Sequence, residues 1–322
     1  MSFAVVHNPC SRMNGSDGEI FRTQGREMLG DRFLSPQGRE ALITEVMALR
    51  DRAIDTVVID GGDGTVSDVM TAIHAGWSGE TFPDIAILPS GNTNLIAADV
   101  GFGMRGIPAL ECLLEKERCG LLRKRTARRH PIVLSWPETG RRDVLGMFCG
   151  LAAFTRGIGL AHQPAILDHY SHNTAVVVTL LSAFSRLLHR EGRREWLDGT
   201  QLTMSRDGGA GEGGARFLFL GTTLHSLPYG VWPFWEGVPP GGALAWLEIM
   251  PHPRRLLPAT LSLLSGRAPA WLRGDPAFRS GRSATITIRM DERLVIDGEE
   301  LDTGPRGVVT LSEGKAITFL RS

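Results

Sequence analysis

The chain has 322 residues and a mass of 35.0 kDa, too much for one small core and enough for two domains. Its 35 Lys and Arg balance 35 Asp and Glu, so no global charge selects nucleic acid or an anionic membrane. Cys10, Cys112, Cys119 and Cys149 form no CxxC pair and no metal-ligand spacing, and read as reduced, small apolar residues of a cytosolic protein. No stretch approaches the roughly 18 apolar residues of a membrane span, and Met1-Ser2-Phe3 runs straight into a strand without a signal peptide.

Phe3 to Val6 predicts a short apolar strand, followed by the polar turn HNPCSRMNG (7–15). Residues 16–34 predict a helix and a second strand, and Ser35-Pro36 reads as a helix start. Ala41, Leu42, Val46 and Leu49 make a helical stripe. Val57-Val58-Ile59 is a β-branched run suited to a strand buried on both faces of a parallel sheet. Gly61, Gly62 and Gly64 then surround Asp63, which requires either positive φ angles or close approach by something else. Val66, Val69, Met70 and Ile73 fall at i, i+3, i+4 and i+7, one stripe of a helix. Strand, glycine loop and helix in that order direct free backbone N–H groups at an anion, phosphate being the usual one. Alternatively, the glycines merely tighten a turn and Thr65 with Asp68 forms a capping box. A carboxylate such as Asp63 beside bound phosphate is repelled unless a cation or a transferred proton is involved, which points to Mg²⁺ and phosphoryl chemistry.

DIAILPSGNTNLIAADVG (84–101) predicts a second buried strand, a turn at Pro89-Ser90-Gly91 and a helix from near Asn94. Strand–helix alternation through this half makes an open parallel α/β sheet, whose ligands bind at the C-terminal ends of the strands. PALECLLEKERCGLL reads as a helix, and the basic run RKRTARRH (123–130) reads either as a solvated linker or as a patch for anionic headgroups. Beyond it, strands are predicted at 131–136, 143–149, 202–206, 215–221, 244–250 and 284–290, separated by Gly- and Pro-rich turns such as 206–214 and 238–242. Such spacing predicts an antiparallel sandwich. Within it the apolar segment 174–190 is either a core helix or a wall of an acyl-chain groove. Tyr229, Trp232, Phe234 and Trp235 crowd one Pro/Gly loop, either an interfacial anchor or a loop folded back on the sheets. Asp297-Gly298-Glu299 carries a hairpin turn signal.

GGDGT (61–65) is the loop shared by diacylglycerol, sphingosine and NAD kinases, and LPSGNTNLIA (88–97) resembles the LPxGTxNDxA segment of the diacylglycerol kinase catalytic domain in its bacterial soluble form. It does not resemble the NTGxLGF segment of NAD kinases. The resemblance implies a nucleotide-binding α/β domain over 1–127, a β-sandwich lipid-substrate domain over 128–310, and a last segment, 311–322, returning a strand to the first domain. It implies an ATP-dependent, Mg²⁺-requiring lipid kinase acting on a primary hydroxyl, diacylglycerol first, with ceramide or another sphingolipid as the alternative acceptor. Asn8, Pro9 and Ser11 match the family's NPxSG loop, with Arg12 in place of its glycine; Ser35 sits where a nucleotide-contacting Thr often lies. Phosphates would be positioned by these residues with Gly61, Gly62, Asp63, Gly64, Thr65, Asn92, Thr93 and Asn94. The catalytic residues implied are Glu299 as proton acceptor, Asp297 orienting it, and Asp63 on Mg²⁺ or near the hydroxyl.

GLAAFTRGI (150–158) lacks the Asp of the family's GFDA element, which argues against a free sphingoid base, and PPGGALAW (239–246) lacks the DDG of a structural Mg²⁺ site. The segment Asn94-Leu95-Ile96 also lacks the acid of the family's NDF. The expected partners are ATP and a membrane lipid met transiently at the inner membrane face by a cytoplasmic protein, without nucleic acid; a homodimer is allowed. Two other classes remain open: a soluble NAD-kinase-like enzyme, and a lipid-binding protein with little kinase activity.

Overall fold

The computed structural model describes residues 2–14, 18–52, 54–77, 81–137, 139–161, 196–237 and 243–322. The chain divides into two compact units. One comprises Met1–Pro131, Val144–Gly146 and Lys315–Ser322; the other comprises Ile132–Asp143 and Met147–Gly314.

The first unit is built on an open sheet. Strands β1 (Phe3–His7), β2 (Phe33–Leu34), β3 (Thr56–Gly61), β4 (Asp84–Pro89) and β5 (Thr126–Arg129) join the C-terminal strand Ile317–Leu320 in the order β2-β1-β3-β4-C-terminal strand-β5. All pairings are parallel except that of β5 with the C-terminal strand. Every residue of β1 and β3 is buried, the reason these strands read as continuous apolar runs rather than alternating ones. Helices α1 (Gly18–Leu29), α2 (Arg39–Ala48), α3 (Asp63–Gly76), α4 (Leu95–Val100) and α5 (Gly106–Arg118) lie between and after them. With β2 on one side of β1 and β3 on the other, the strand order reverses between β1 and β3. Ligands of such sheets bind in the crevice at that reversal, outside the carboxyl ends of the strands.

Two local expectations are corrected here. The N-cap of α3 is Gly62, so Thr65 lies inside the first turn and does not open a capping box; Asp68 instead pairs with Arg39 of α2 at 2.7 Å. The run 123–130 is not a solvated linker. Arg123 pairs with buried Asp84, and Arg129 grips buried Asp99 through two 2.8 Å bonds, while residues 126–129 form β5. A buried carboxylate requires such partners, and two of the run's basic side chains are consumed meeting that need.

In the second unit, neighbouring strands of one antiparallel sheet are Glu212–Arg216, Thr200–Arg206, Thr285–Arg289, Val308–Glu313 and Ile132–Ser135. Another sheet orders Phe278–Ser283, Leu244–Ile249, Leu218–Thr222, Phe148–Ala152, Leu294–Ile296 and Glu299–Leu301, also antiparallel. The predicted strand 215–221 is broken at Phe217 and the predicted strand 284–290 continues an earlier one across Ala284. At each break the chain leaves one sheet and enters the other, a corner of the kind antiparallel sheets make by bending a strand. The segments 174–190 and 238–242 lie outside the described residues.

Removing Arg129 takes both guanidinium bonds from buried Asp99, so Arg129→Ala should lower stability to urea by about 3 kcal/mol. Arg123, whose side chain is half exposed, should cost under about 1 kcal/mol when replaced by Ala.

Candidate functional site

The carboxyl end of β3 carries Asp60, a carboxylate that is only 2% exposed. It accepts a 2.6 Å hydrogen bond from His7 Nδ1 at the end of β1, a 3.0 Å bond from Asn14 Nδ2, and another from the Ser90 hydroxyl after β4. Backbone bonds reinforce the same junction, from Asn8 N–H to Asp60 O, from Ser90 N–H to Gly61 O and from Met13 N–H to Ser90 O. The loops 7–14, 60–65 and 89–94 therefore meet at the reversal of strand order. Asp60, His7, Asn14 and Ser90 carry no motif. The available signal was a carboxylate closing a fully apolar strand, which folding tolerates only when neighbours donate to it.

Among the residues singled out from sequence, Asn8 Nδ2 donates to Thr65 Oγ1 at 2.8 Å, and the Asn8 side-chain oxygen accepts the N–H of Cys10. This ties the first loop to the glycine loop across the reversal point. A methyl group on Gly91 would sit 2.5 Å from the Gly62 Cα, and one on Gly62 would sit 3.0 Å from the Gly91 Cα. Neither glycine has a positive φ, so close backbone approach and not conformational freedom is what requires them. Gly61 is held to glycine by the Thr65 side chain, which its Cβ would meet at 2.6 Å. The first bond of α3 runs from Val66 N–H to Gly62 O, so the amides of Asp63, Gly64 and Thr65 are N-terminal donors without helical acceptors, aimed where the helix dipole is positive.

Asn94, at φ 47°, spends both ends of its amide on Gly91, accepting its N–H at 2.8 Å and donating to its carbonyl at 2.9 Å. It shapes the turn. Asn92 and Thr93 are exposed on that turn, Arg12 is exposed on the first loop, and Pro9 and Ser11 are covered more. Ser35, just beyond β2 on the same edge of the sheet, has a buried hydroxyl without a hydrogen-bond partner among the described residues.

Asp63 turns towards α4. Its two carboxylate oxygens accept the N–H groups of Leu95 and Ile96, both at 2.9 Å, and so cap a helix whose own N-cap side chain is engaged elsewhere. Burial pushes the Asp63 carboxyl above its ordinary value, and the two amide bonds oppose that shift without cancelling it.

In the second unit, Asp297 and Gly298 have φ of 46° and 90° and form the two-residue turn between strands Leu294–Ile296 and Glu299–Leu301. The turn is also fastened: the Asp297 carboxylate accepts the amides of Met147 and Phe148, each at 2.9 Å. Burial of Cys149 first, and the nearby Asp297 charge second, push its thiol up to about 12. Glu299 is exposed, and its side chain makes no hydrogen bond or ion pair among the described residues. In the aromatic loop Phe234 is buried against Trp232, with ring centroids 5.1 Å apart, while Tyr229 stands 69% exposed. One side of that loop folds back and the other faces out. Cys10 and Cys119 are exposed, unlike the apolar residues their sequence context predicts.

A parallel sheet with a glycine loop at its reversal of strand order, in a chain that also carries antiparallel sheets, makes a mixed α/β fold. Residues 13–120 match the model of the diacylglycerol kinase catalytic domain, so this stretch, which includes the glycine loop, Ser35 and residues 92–94, carries the resemblance to that family. Residues 8–12 and 297–299 fall outside the match. Two solved structures of a provisionally assigned diacylglycerol kinase from Bacillus anthracis str. Sterne share the fold. They cover 100% and 99% of this chain and 97% and 96% of their own, at TM-scores of 0.64 and 0.66 and identities of 13% and 14%. A diacylglycerol kinase crystal structure from the same organism covers 99% and 96% at a TM-score of 0.61 and 13% identity. No curated protein matches the chain.

Gly91→Ala must push two backbones apart and should cost 1–3 kcal/mol by chemical denaturation, roughly the penalty of overpacking a tight contact. For Asp63, a folded-state pKa above the unfolded one means the native state binds the extra proton, so its contribution to stability is full at acid pH and falls as pH rises through the folded value. Asp63→Asn should remove that falling component from a pH series of unfolding curves.

Proposed function

We propose that this protein transfers the γ-phosphoryl group of ATP to the primary hydroxyl of a membrane lipid, with diacylglycerol as the first acceptor and phosphatidic acid as product. The carrying observation is the junction at the strand reversal, where Gly62 and Gly91 come into close backbone approach and the first bond of α3 starts only at Val66, which leaves the amides of Asp63, Gly64 and Thr65 without helical acceptors. Donors arranged in this way suit phosphate, and the match of residues 13–120 to a kinase catalytic domain supports a nucleotide as its source.

The residues are compatible with a nucleoside triphosphate: amides without helical acceptors for phosphate oxygens, a Ser35 hydroxyl without a partner among the described residues, and exposed Asn92, Thr93 and Arg12 on the loops that follow β1 and β4. Fit to Mg²⁺ is narrower. No group of three His, Cys, Asp or Glu side chains is assembled among the described residues, and each oxygen of Asp63 already accepts one amide. A carboxylate keeps further lone pairs, so Asp63 can hold one position on an ion otherwise bound by phosphate and water, as Mg²⁺ commonly is. When bound, the ion neutralises phosphate charge.

In the proposed reaction the lipid hydroxyl oxygen forms a bond to the γ-phosphorus, the bond from that phosphorus to the β,γ-bridging oxygen breaks, and ADP leaves with the electron pair. Glu299, exposed and without a side-chain partner among the described residues, takes the hydroxyl proton. Asp297 is a positioning residue, holding the turn that presents Glu299. Asp63, bound to two amides, favours as a second reading a lipid-binding protein with little turnover, because that carboxylate is already committed to α4.

Purified protein given labelled ATP, Mg²⁺ and micelles of diacylglycerol, of ceramide or of detergent alone should place label in the organic phase with diacylglycerol. Label with ceramide alone would change the acceptor; lipid binding without label in any arm would sustain the second reading. Glu299→Gln should lower turnover by about 10²–10⁴, the usual range of general-base help, while ATP binding persists. Wild-type turnover in that variant would remove Glu299 from the role.

A further inference from the structure

The second unit holds a nine-residue helix, Leu256–Leu264, of sequence LLPATLSLL, without a single charged side chain. Ala259 and Leu263 face inward and are buried, but Leu257, Leu261 and Leu264 are 54%, 61% and 37% exposed. Those three fall four and three residues apart, so they form one stripe. A helix whose solvent-facing side is mostly apolar, with only Thr260 and Ser262 polar, is best satisfied when that side is covered or faces lipid. The loop carrying exposed Tyr229 lies beside its end, since a Cβ on Gly266 would sit 3.5 Å from the Gly230 carbonyl oxygen.

The stretch of chain that carries this stripe has charge of one sign, with Asp275 just after it and Asp198 pairing with its His252 at 2.8 Å. From Pro251 to Gly274 there is no Asp or Glu, and Arg254, Arg255, Arg267 and Arg273 are all exposed. Arg255 leans over the Trp271 ring at 5.5 Å and Arg273 donates to the Ala268 carbonyl. In a chain of zero formal net charge, this makes a local cationic rim around exposed leucines. Two copies of the face brought together symmetrically would oppose arginine to arginine. An anionic bilayer meets both features: leucines enter the headgroup boundary and guanidinium groups meet phosphates.

We propose that the Leu257–Leu261–Leu264 stripe, with Tyr229 and its arginine rim, docks this protein on anionic phospholipid membranes. The inference rests on the lipid kinase reading in that it names the surface through which the enzyme reaches its acceptor.

The test is sedimentation of the whole protein with vesicles of phosphatidylcholine alone or mixed with phosphatidylglycerol, alongside kinase assays on vesicular and on monomeric short-chain diacylglycerol. Wild type should bind the mixed vesicles, less so as salt rises. Leu257→Ser/Leu261→Ser should reduce binding about tenfold or more, each leucine being worth roughly a tenfold factor when it leaves water. Its KM for vesicular lipid should rise while kcat on the monomeric lipid stays unchanged. Arg254→Gln/Arg267→Gln, which leaves the apolar stripe intact, should lose the preference for phosphatidylglycerol. Undiminished binding by both variants, or absence of wild-type binding, would overturn the proposal. So would conversion of a dimer to a monomer by the leucine substitutions, measured by light scattering. Vesicle binding that follows these substitutions without turnover on either lipid would leave the docking surface standing and remove the kinase reading instead.

Discussion

The buried carboxylate of Asp60 is the constraint on which the site depends. A charge at that depth is tolerated only if it is surrounded by donors, and its donors come from the ends of β1 and β4 and from Asn14 between β1 and α1. Satisfying one charge thus draws three loops into register. The contact of Gly62 with Gly91 follows from that convergence, and it sets the start of α3, whose first three amides have no helical acceptor, at the same junction. An apolar residue at position 60 would leave His7, Asn14 and Ser90 without their shared acceptor and the loops without a reason to meet.

Much of this half was legible in the sequence because its signals are local. Val57 to Ile59 and Ile85 to Leu88 are buried on both faces and show as unbroken apolar runs, and Val66 to Ile73 shows the helical period. The glycine loop stood out by composition, although its physical basis was open between positive φ and close approach; only the geometry of Gly62 against Gly91 decides for the second. Asp60 escaped because its partners are 30 to 53 residues away, and nothing in its neighbourhood signals that distance. Arg123 and Arg129 escaped for the same reason: a basic run looks solvated until the buried acids Asp84 and Asp99 are found opposite it.

The antiparallel unit was less legible. A strand that changes sheet at Phe217 or Ala284 keeps its alternating pattern through the corner, so sequence reads one element where the structure has two. The Asp297-Gly298 turn illustrates a different limit. The geometry answers the hairpin signal and leaves the resemblance to a kinase motif untouched: the turn has the required positive φ at both positions, and the Asp297 side chain fastens it to the amides of Met147 and Phe148. Ala152 is a related case. It stands at the place of the Asp in the family's GFDA element and has a φ of 62°, a conformation in which Asp, Asn or Gly is the usual resident.

The two units distribute distinct physical tasks. The parallel sheet sets backbone donors without helical acceptors at the start of α3, and the proposed function assigns anionic oxygens to them. The antiparallel unit supplies an exposed glutamate on a fastened turn and, elsewhere, leucines left in solvent beside arginines. The central claim is that the amides opening α3 receive phosphate. The most direct measurement of it is hydrogen exchange with and without ATP, followed at single-residue resolution. The account predicts slowed exchange at Asp63, Gly64 and Thr65, with lesser protection in the 8–14 and 90–94 loops. Unchanged exchange at those three amides under saturating ATP would contradict it.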